Sequence, residues 1–198
     1  GEAEQIVNMF ENDLRLPLIR VDASERFIER LRGIADPVEK HRAVHNEFIN
    51  VFSEVSQAHP EAEFLVKGTI YSDLLASGAS DAVYARQFDS GRLLEPVRML
   101  FKDEVRALAE ALGLPAASAA RQPFPAPGLA VRCGGVVTRQ KLAMLRRADA
   151  IVRECAAEAG QDRRISRCFA VLTNARALTL YGGVGFGYVC ALRAVAEQ

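Results

Sequence analysis

The order of apolar and polar positions divides the chain into two parts. Ile6, Val7, Met9, Phe10 and Leu14 recur at helical spacing and predict a helix over residues 2–14 behind an acidic first turn. Leu18-Ile19-Arg20-Val21 is a short β-prone run that ends in Asp22. Ser24 reads as the N-cap of a helix over Glu25–Arg32, with Gly33 closing it. Pro37 suits the first turn of a long helix to about Gln57, with Val44, Phe48, Val51, Phe52 and Val55 along one apolar side. Phe64-Leu65-Val66 is a second short apolar run, and it leads directly into Lys67-Gly68-Thr69. The stretch Gly78–Arg92 is polar and aperiodic and reads as loop. Lys102–Gly113 carries both helix signals, with Asp103 and Glu104 in the first turn and Gly113 followed by Pro115 at the end.

Short apolar strands that alternate with amphipathic helices predict an α/β fold, an open parallel sheet whose ligands bind beyond the carboxyl ends of the strands. Asp22 and the Lys67–Asp73 stretch fall at that edge. The pattern changes after Pro123-Phe124-Pro125-Ala126-Pro127-Gly128, which reads as a stiff extended linker because each Pro lacks a donor. Thr138 then caps a helix to about Ala159, with Leu142, Leu145, Ala148, Ile151, Val152 and Cys155 inward. Two β-rich runs follow, Cys168–Thr173 and Tyr188–Val195. The expected organisation is a first domain over residues 1–121 and a small α+β domain over residues 122–198, whose sheet would suit dimerisation.

Charge narrows the partners. Among the 198 residues, 25 basic side chains balance 25 acidic ones, which argues against a nucleic-acid binder. The longest uncharged stretch, between Arg176 and Arg193, is too short for a membrane span and is interrupted by Gly182, Gly183, Gly185 and Gly187. The cysteines Cys133, Cys155, Cys168 and Cys190 are widely spaced, which fits reduced thiols in a cytoplasmic protein better than a zinc site or a disulfide framework. His41 and His45 stand four apart on a predicted helix, a metal pair without a third ligand in view and more simply a solvated face.

Four collinear segments resemble the GMP synthetase family. Lys67-Gly68-Thr69-Ile70-Tyr71-Ser72-Asp73 is similar to that family's Gln-Gly-Thr-Ile-Tyr-Pro-Asp. Leu94-Glu95-Pro96, followed by Leu100-Phe101-Lys102-Asp103-Glu104-Val105-Arg106, is close to identical with its counterpart. The segment Pro123–Arg132 differs at one position, and Arg146–Ile151 with Ala191–Val195 also matches. The resemblance implies a fold of the adenine-nucleotide α-hydrolase type followed by a dimerisation domain. It implies that Mg²⁺-ATP is attacked at its α-phosphate by the xanthine oxygen of XMP, with loss of pyrophosphate. Ammonia from a glutamine amidotransferase domain or subunit then displaces AMP to give GMP. A homodimer is implied as well.

The same resemblance assigns the site. Asp73 falls where the family has a carboxylate near the reacting phosphate. Lys102 and Asp103 supply a cation and a metal-side carboxylate for the departing pyrophosphate, so that Asp73 and Asp103 are the magnesium candidates. Phe48 matches a residue that contacts adenine, and Gly68 and Thr69 let backbone approach the nucleotide. By spacing alone these residues read more plainly: Phe48 as core, Asp73 as a turn residue, and Lys-Asp-Glu as helix-dipole chemistry.

The sequence also departs from the family. Its phosphate loop Ser-Gly-Gly-Val-Asp-Ser is expected ahead of residue 1, and its closing Lys-Pro-Pro-Ala-Thr-Ile-Glu-Trp-Glu segment beyond Gln198. A Lys-Ser-His-His-Asn lid has no counterpart between Asp73 and Leu94. Ala76 stands in place of an acidic residue, Gln122 in place of a His, and Tyr181–Gly187 lacks an Asp and an Arg. These departures leave open a related ATP pyrophosphatase with another acceptor, or an inactive dimerising homologue.

Overall fold

A computed structural model describes residues 2–76, 92–114, 128–160, 165–179 and 185–196. Helix α1 covers Glu2–Asn8 and runs into a π-helical turn at Met9–Asp13, where the Leu14 amide donates to the Met9 carbonyl at 2.9 Å. Arg15 then takes a left-handed φ of 52° and turns the chain out of the helix.

The run Leu18–Val21 is not a strand. No ladder forms on it among the described residues. Apolar β-branched residues favour a strand only when a neighbour accepts the pairing, and here Ile19 and Val21 serve as a groove wall. Helix α2, Ser24–Arg30, also begins differently from expectation. Its N-cap is Ala23, and the Asp22 carboxylate takes the Ser24 amide at 3.0 Å, an Asx turn two residues upstream of the expected cap.

Helix α3 spans Pro37–Gln57 as the pattern predicted, with Asp36 accepting from the Val38 and Glu39 amides at 2.9 Å each. Its packing is less simple than its pattern. The positions turned inward include Lys40 and Glu47, while Phe48 is 51 % exposed. Glu47 accepts from Arg26 and Arg30 at 2.8 Å, and Arg26 continues to Glu54, so four charged residues clamp α2 against α3. With the charged stripe turned inward, the aromatic one is left facing out.

Strands β1 (Leu65–Val66) and β2 (Leu93–Leu94) pair in parallel, Leu65 opposite Leu93 and Val66 opposite Leu94. Among the described residues this pair is the parallel sheet. Helix α4 (Tyr71–Ala76) follows β1, and helix α5 (Lys102–Ala111) follows β2, with Gly113 at φ +80° beyond its end. The predicted loop Gly78–Arg92 lies outside the described residues up to residue 91, as do residues 115–127. That second stretch holds the domain boundary, Gln122 and most of the expected linker.

After Gly128 come helix α6 (Leu129–Arg132), helix α7 (Arg139–Glu158) and the antiparallel strands β3 (Ile165–Thr179) and β4 (Gly185–Ala196). Thr138 caps α7 as expected, accepting from the Lys141 amide at 3.2 Å. Leu142 and Leu145 point inward as expected, but Ile151 is half exposed and Cys155 is exposed. The inward stripe ends at Asp149, and the helix then runs out past its sheet.

The core joins the two halves of the chain. Leu31 is buried with Cys133, Val137, Leu142, Leu145, Ala170 and Leu172, and Ile28, Ala43 and Val44 pack against them. Two lysines fasten the turn that enters α7. Lys40, 1 % exposed, donates to the carbonyls of Cys133 and Gly135, and Lys141 donates to those of Gly134 and Val136. Four consecutive carbonyls are thereby satisfied without a strand or a helix, the condition under which irregular backbone can be buried.

Candidate functional site

The outward stripe of α3 forms one wall of a groove. Phe48 and Phe52 lie with near-parallel rings, their centroids 6.5 Å apart and their planes 14° from one another. Pro17, Ile19–Ser24 and Phe27 form the opposite wall of a cavity of about 780 Å³. Ile19, Phe52 and Val55 continue into a second cavity of about 650 Å³, closed by Phe64, Leu65 and Arg92. Cavities of this size with apolar walls and a few polar groups are what small-molecule sites are made of. One polar group is Asp22, whose carboxyl is held below its ordinary value by hydrogen bonding to Ser24, side chain first and backbone second. On the rim of the second cavity His59 Nδ1 lies 2.9 Å from Glu61.

The sequence-predicted acidic and basic residues lie just beyond β1. Lys67 donates its amide to the Leu94 carbonyl at 2.9 Å, extending the parallel pairing by one bond. Four residues on, the Tyr71 amide donates to the Leu100 carbonyl at 2.9 Å, and the Tyr71 ring meets Phe101 edge-on at 5.0 Å. The start of α4 is therefore fixed against the start of α5. Asp73 sits in the first turn of α4 and accepts from the Ile70 amide at 3.1 Å. Lys102 and Asp103 open α5, while Glu104 takes the Phe101 amide at 2.7 Å, the half of a capping box that a carboxylate can supply.

Between the two helix starts lies Thr69, 3 % exposed, whose hydroxyl donates to Glu95 at 2.6 Å. Gly68 has no atom within 4 Å of the place a Cβ would occupy, so its backbone is open to a ligand. The structure thus sets Gly68 and Thr69 directly after β1 and joins the start of α4, which carries Asp73, to the start of α5, which carries Lys102 and Asp103, through the Tyr71–Leu100 bond and the Tyr71–Phe101 contact. Phe48 stands apart on α3, in the groove that reaches β1 through Leu65. Its exposure sets aside the reading of Phe48 as core. The sequence assigns no role to Glu95, Tyr71 or Phe101, although all three lie within the matching segments. No pattern in one chain announces that a buried hydroxyl will need a carboxylate.

Among the described residues, no group of three or more His, Cys, Asp or Glu side chains is placed to hold a metal ion. Asp73 and Asp103 are two carboxylates, the hard oxygen donors that suit Mg²⁺, an ion that keeps several waters and takes one or two protein carboxylates beside substrate phosphates. Of the altered positions, Ala76 closes α4, Gly185 and Gly187 lie in β4, and Gly183 falls outside the described residues. No helix of the described residues is long and apolar enough to cross a membrane.

The described residues place an aromatic-walled groove beside a short parallel strand pair, with two acidic helix starts following its strands. Over its length the chain is similar to curated proteins named GMP synthase [glutamine-hydrolyzing]. It is 42% identical over 208 residues to that of Halothermothrix orenii, an alignment covering 100% of this chain and 41% of the relative. It is 43% identical over 205 residues to that of Acetivibrio thermocellus, with 98% of this chain and 40% of the relative covered. It is 45% identical over 209 residues to that of Brucella suis, covering 99% and 40%. The chain thus spans about two-fifths of the length of the curated relatives it matches. No family model matches.

Proposed function

We propose that this chain is the nucleotide-activating portion of a GMP-forming ligase, of the adenine-nucleotide α-hydrolase fold, acting on ATP and XMP. The observation that carries the reading is the joining of the α4 and α5 starts through Tyr71, Leu100 and Phe101 beyond the β1–β2 pair, since these starts carry Asp73 and Lys102–Asp103 and follow Gly68 and Thr69. Phe48 and Phe52 offer ring faces to a base in the adjoining groove, and the open backbone at Gly68 leaves room for a phosphate. Lys102 sets a cation where negative charge develops on departing pyrophosphate, and Asp73 and Asp103 would hold the magnesium. When bound, that ion neutralises phosphate charge. The altered positions Ala76, Gln122 and Gly183–Gly187 bear on the choice of acceptor rather than on ATP activation. Ammonia would come from a glutamine amidotransferase domain or subunit, and the β3–β4 sheet, with Leu178, Phe186 and Leu192 exposed, would serve a homodimer.

The relatives' name also covers glutamine hydrolysis, a reaction suited to an activated thiolate paired with a base. Three of the four thiols do not favour that share. Cys133 is fully buried, and burial pushes the Cys168 and Cys190 thiols up, away from thiolate.

The test is pyrophosphate release by the whole protein that carries this chain, with ATP and ammonia, in the presence and absence of XMP. Release that depends on both nucleotides is the expected result. Release indifferent to XMP would point to another acceptor, and no nucleotide binding at all would leave the inactive dimerising homologue.

A further inference from the structure

Glu95 is placed to hold the two halves of the candidate site in register, and nothing in the ligase reading assigns it a role. Its side chain is 10% exposed, and its two oxygens are both used. Oε1 accepts from the Thr69 hydroxyl at 2.6 Å, and Oε2 accepts from Arg98 Nη1 at 2.7 Å. Thr69 belongs to the segment that ends in Asp73, and Arg98 to the turn at residues 96–99 that precedes Lys102. One carboxylate therefore ties both segments.

The backbone repeats the same connection on either side. Lys67 bonds Leu94 immediately before Glu95, and Tyr71 bonds Leu100 after it. The loop from Lys67 to Tyr71 would be free to hinge between these two bonds without a fixed point in its middle. Thr69, nearly fully buried, is that point. A charge-assisted O–H···O⁻ bond of this length is among the stronger hydrogen bonds available to a protein.

We infer that Glu95 is a positioning residue: through Thr69 and Arg98 it fixes the distance between the Asp73 helix start and the Lys102–Asp103 helix start. This role rests on the ligase reading, because it matters for turnover only if those helix starts face the reacting phosphates. Glu95 itself touches neither nucleotide nor metal in this assignment. Loss of its carboxylate should lower kcat and leave the KM for ATP within about threefold, since adenine is held elsewhere, at Phe48.

The experiment uses the whole protein and four single variants with one double. E95A and T69V should each lower kcat by about 10- to 100-fold, the scale of a small misplacement of catalytic groups. E95A/T69V should lose no more than E95A alone, because the Thr69 bond is already gone in E95A. E95Q, which still accepts from Thr69, and T69S, which still donates, should recover most of the loss. Hydrogen exchange at the Lys67 and Tyr71 amides gives a readout independent of activity and should quicken in E95A and T69V. Losses that multiply in the double variant, or a rise in KM with kcat unchanged, would overturn the positioning role. Unchanged exchange would overturn the clamp itself. Wild-type protein without ATP- and XMP-dependent pyrophosphate release would overturn the parent reading, while exchange would still decide whether the clamp exists.

Discussion

Arg132 reaches both oxygens of Asp149 from a single nitrogen, at 2.7 Å each, in the interior between α6, α7 and β3. The same nitrogen donates to the Ala170 carbonyl at 2.8 Å, and Asp149 accepts the Ala170 amide at 2.7 Å, so one buried pair pins two helices to a strand. A buried pair is costly to half-remove. D149N or R132M is expected to destabilise by about 3–5 kcal/mol, since each leaves the other charge uncompensated. The double variant R132M/D149L should lose less than the sum. Urea unfolding of all three checks this.

Gly134 is a test of close packing without backbone strain. A Cβ there would stand 2.7 Å from the Asn174 amide nitrogen and 2.9 Å from the Leu172 carbonyl oxygen, both main-chain atoms that cannot swing aside. G134A should cost about 1–3 kcal/mol by overpacking. Gly128, with ordinary extended dihedrals and open space around it, is the control, and G128A should stay within about 0.5 kcal/mol of wild type. Equal unfolding midpoints for the two variants would refute the close approach.

The two inward charges of α3 give opposite pH signatures. Glu47 is held below its ordinary value, first by Arg30 and also by Asn50 and Arg26. A depressed carboxyl binds fewer protons folded than unfolded, so its stabilisation is present above about 4.5 and is lost as pH falls. E47Q should therefore flatten the acid limb of the stability profile.

Lys40 is pushed below its ordinary 10.5, chiefly by burial and also by the neighbouring Lys141. Here the unfolded chain binds the extra proton, so stability gains a positive slope between the lowered value and 10.5. Urea midpoints followed as pH rises toward 10.5 should show that slope in wild type and a smaller one in K40M. An identical slope in both would show that the ammonium is not desolvated.

Phe48 separates function from stability. Because it is 51 % exposed, F48A should change unfolding by well under the roughly 3–5 kcal/mol of a core Phe. Under the proposed function it should weaken ATP binding by about 1–3 kcal/mol, the worth of a base stacked on an aromatic ring. Calorimetric titration of the whole protein with ATP checks the second half.

Much of the helical scaffold was legible in the sequence because its punctuation is local. Pro37 and Asp36 start α3, Thr138 starts α7, and Gly113 ends the turn after α5, each through a contact within a few residues. Leu18–Val21 failed as a strand because pairing depends on a partner elsewhere, which no local pattern reports. Lys40 and Glu47 were invisible as interior residues for a related reason. Their burial is licensed by carbonyls at Cys133 and Gly135 and by guanidinium groups on α2, and hydropathy alone places both in water. At the candidate site, resemblance supplied the residues but not their connection. The Thr69–Glu95 bond joins positions 26 apart, and only the fold brings them together.

The bond from Lys40 to the Cys133 carbonyl spans 93 positions of the chain. During synthesis, α3 emerges long before the turn that will receive its ammonium. At about 5–20 residues per second, roughly 5–20 s separate the two events on the ribosome. Throughout that interval Val44 and Ala43 lack the core they later join, and the aromatic stripe is exposed on the other side. Until Cys133 and Gly135 are made, the Lys40 ammonium has neither of the two carbonyls that license its burial, so the inward face of α3 cannot close until the second half of the chain supplies them.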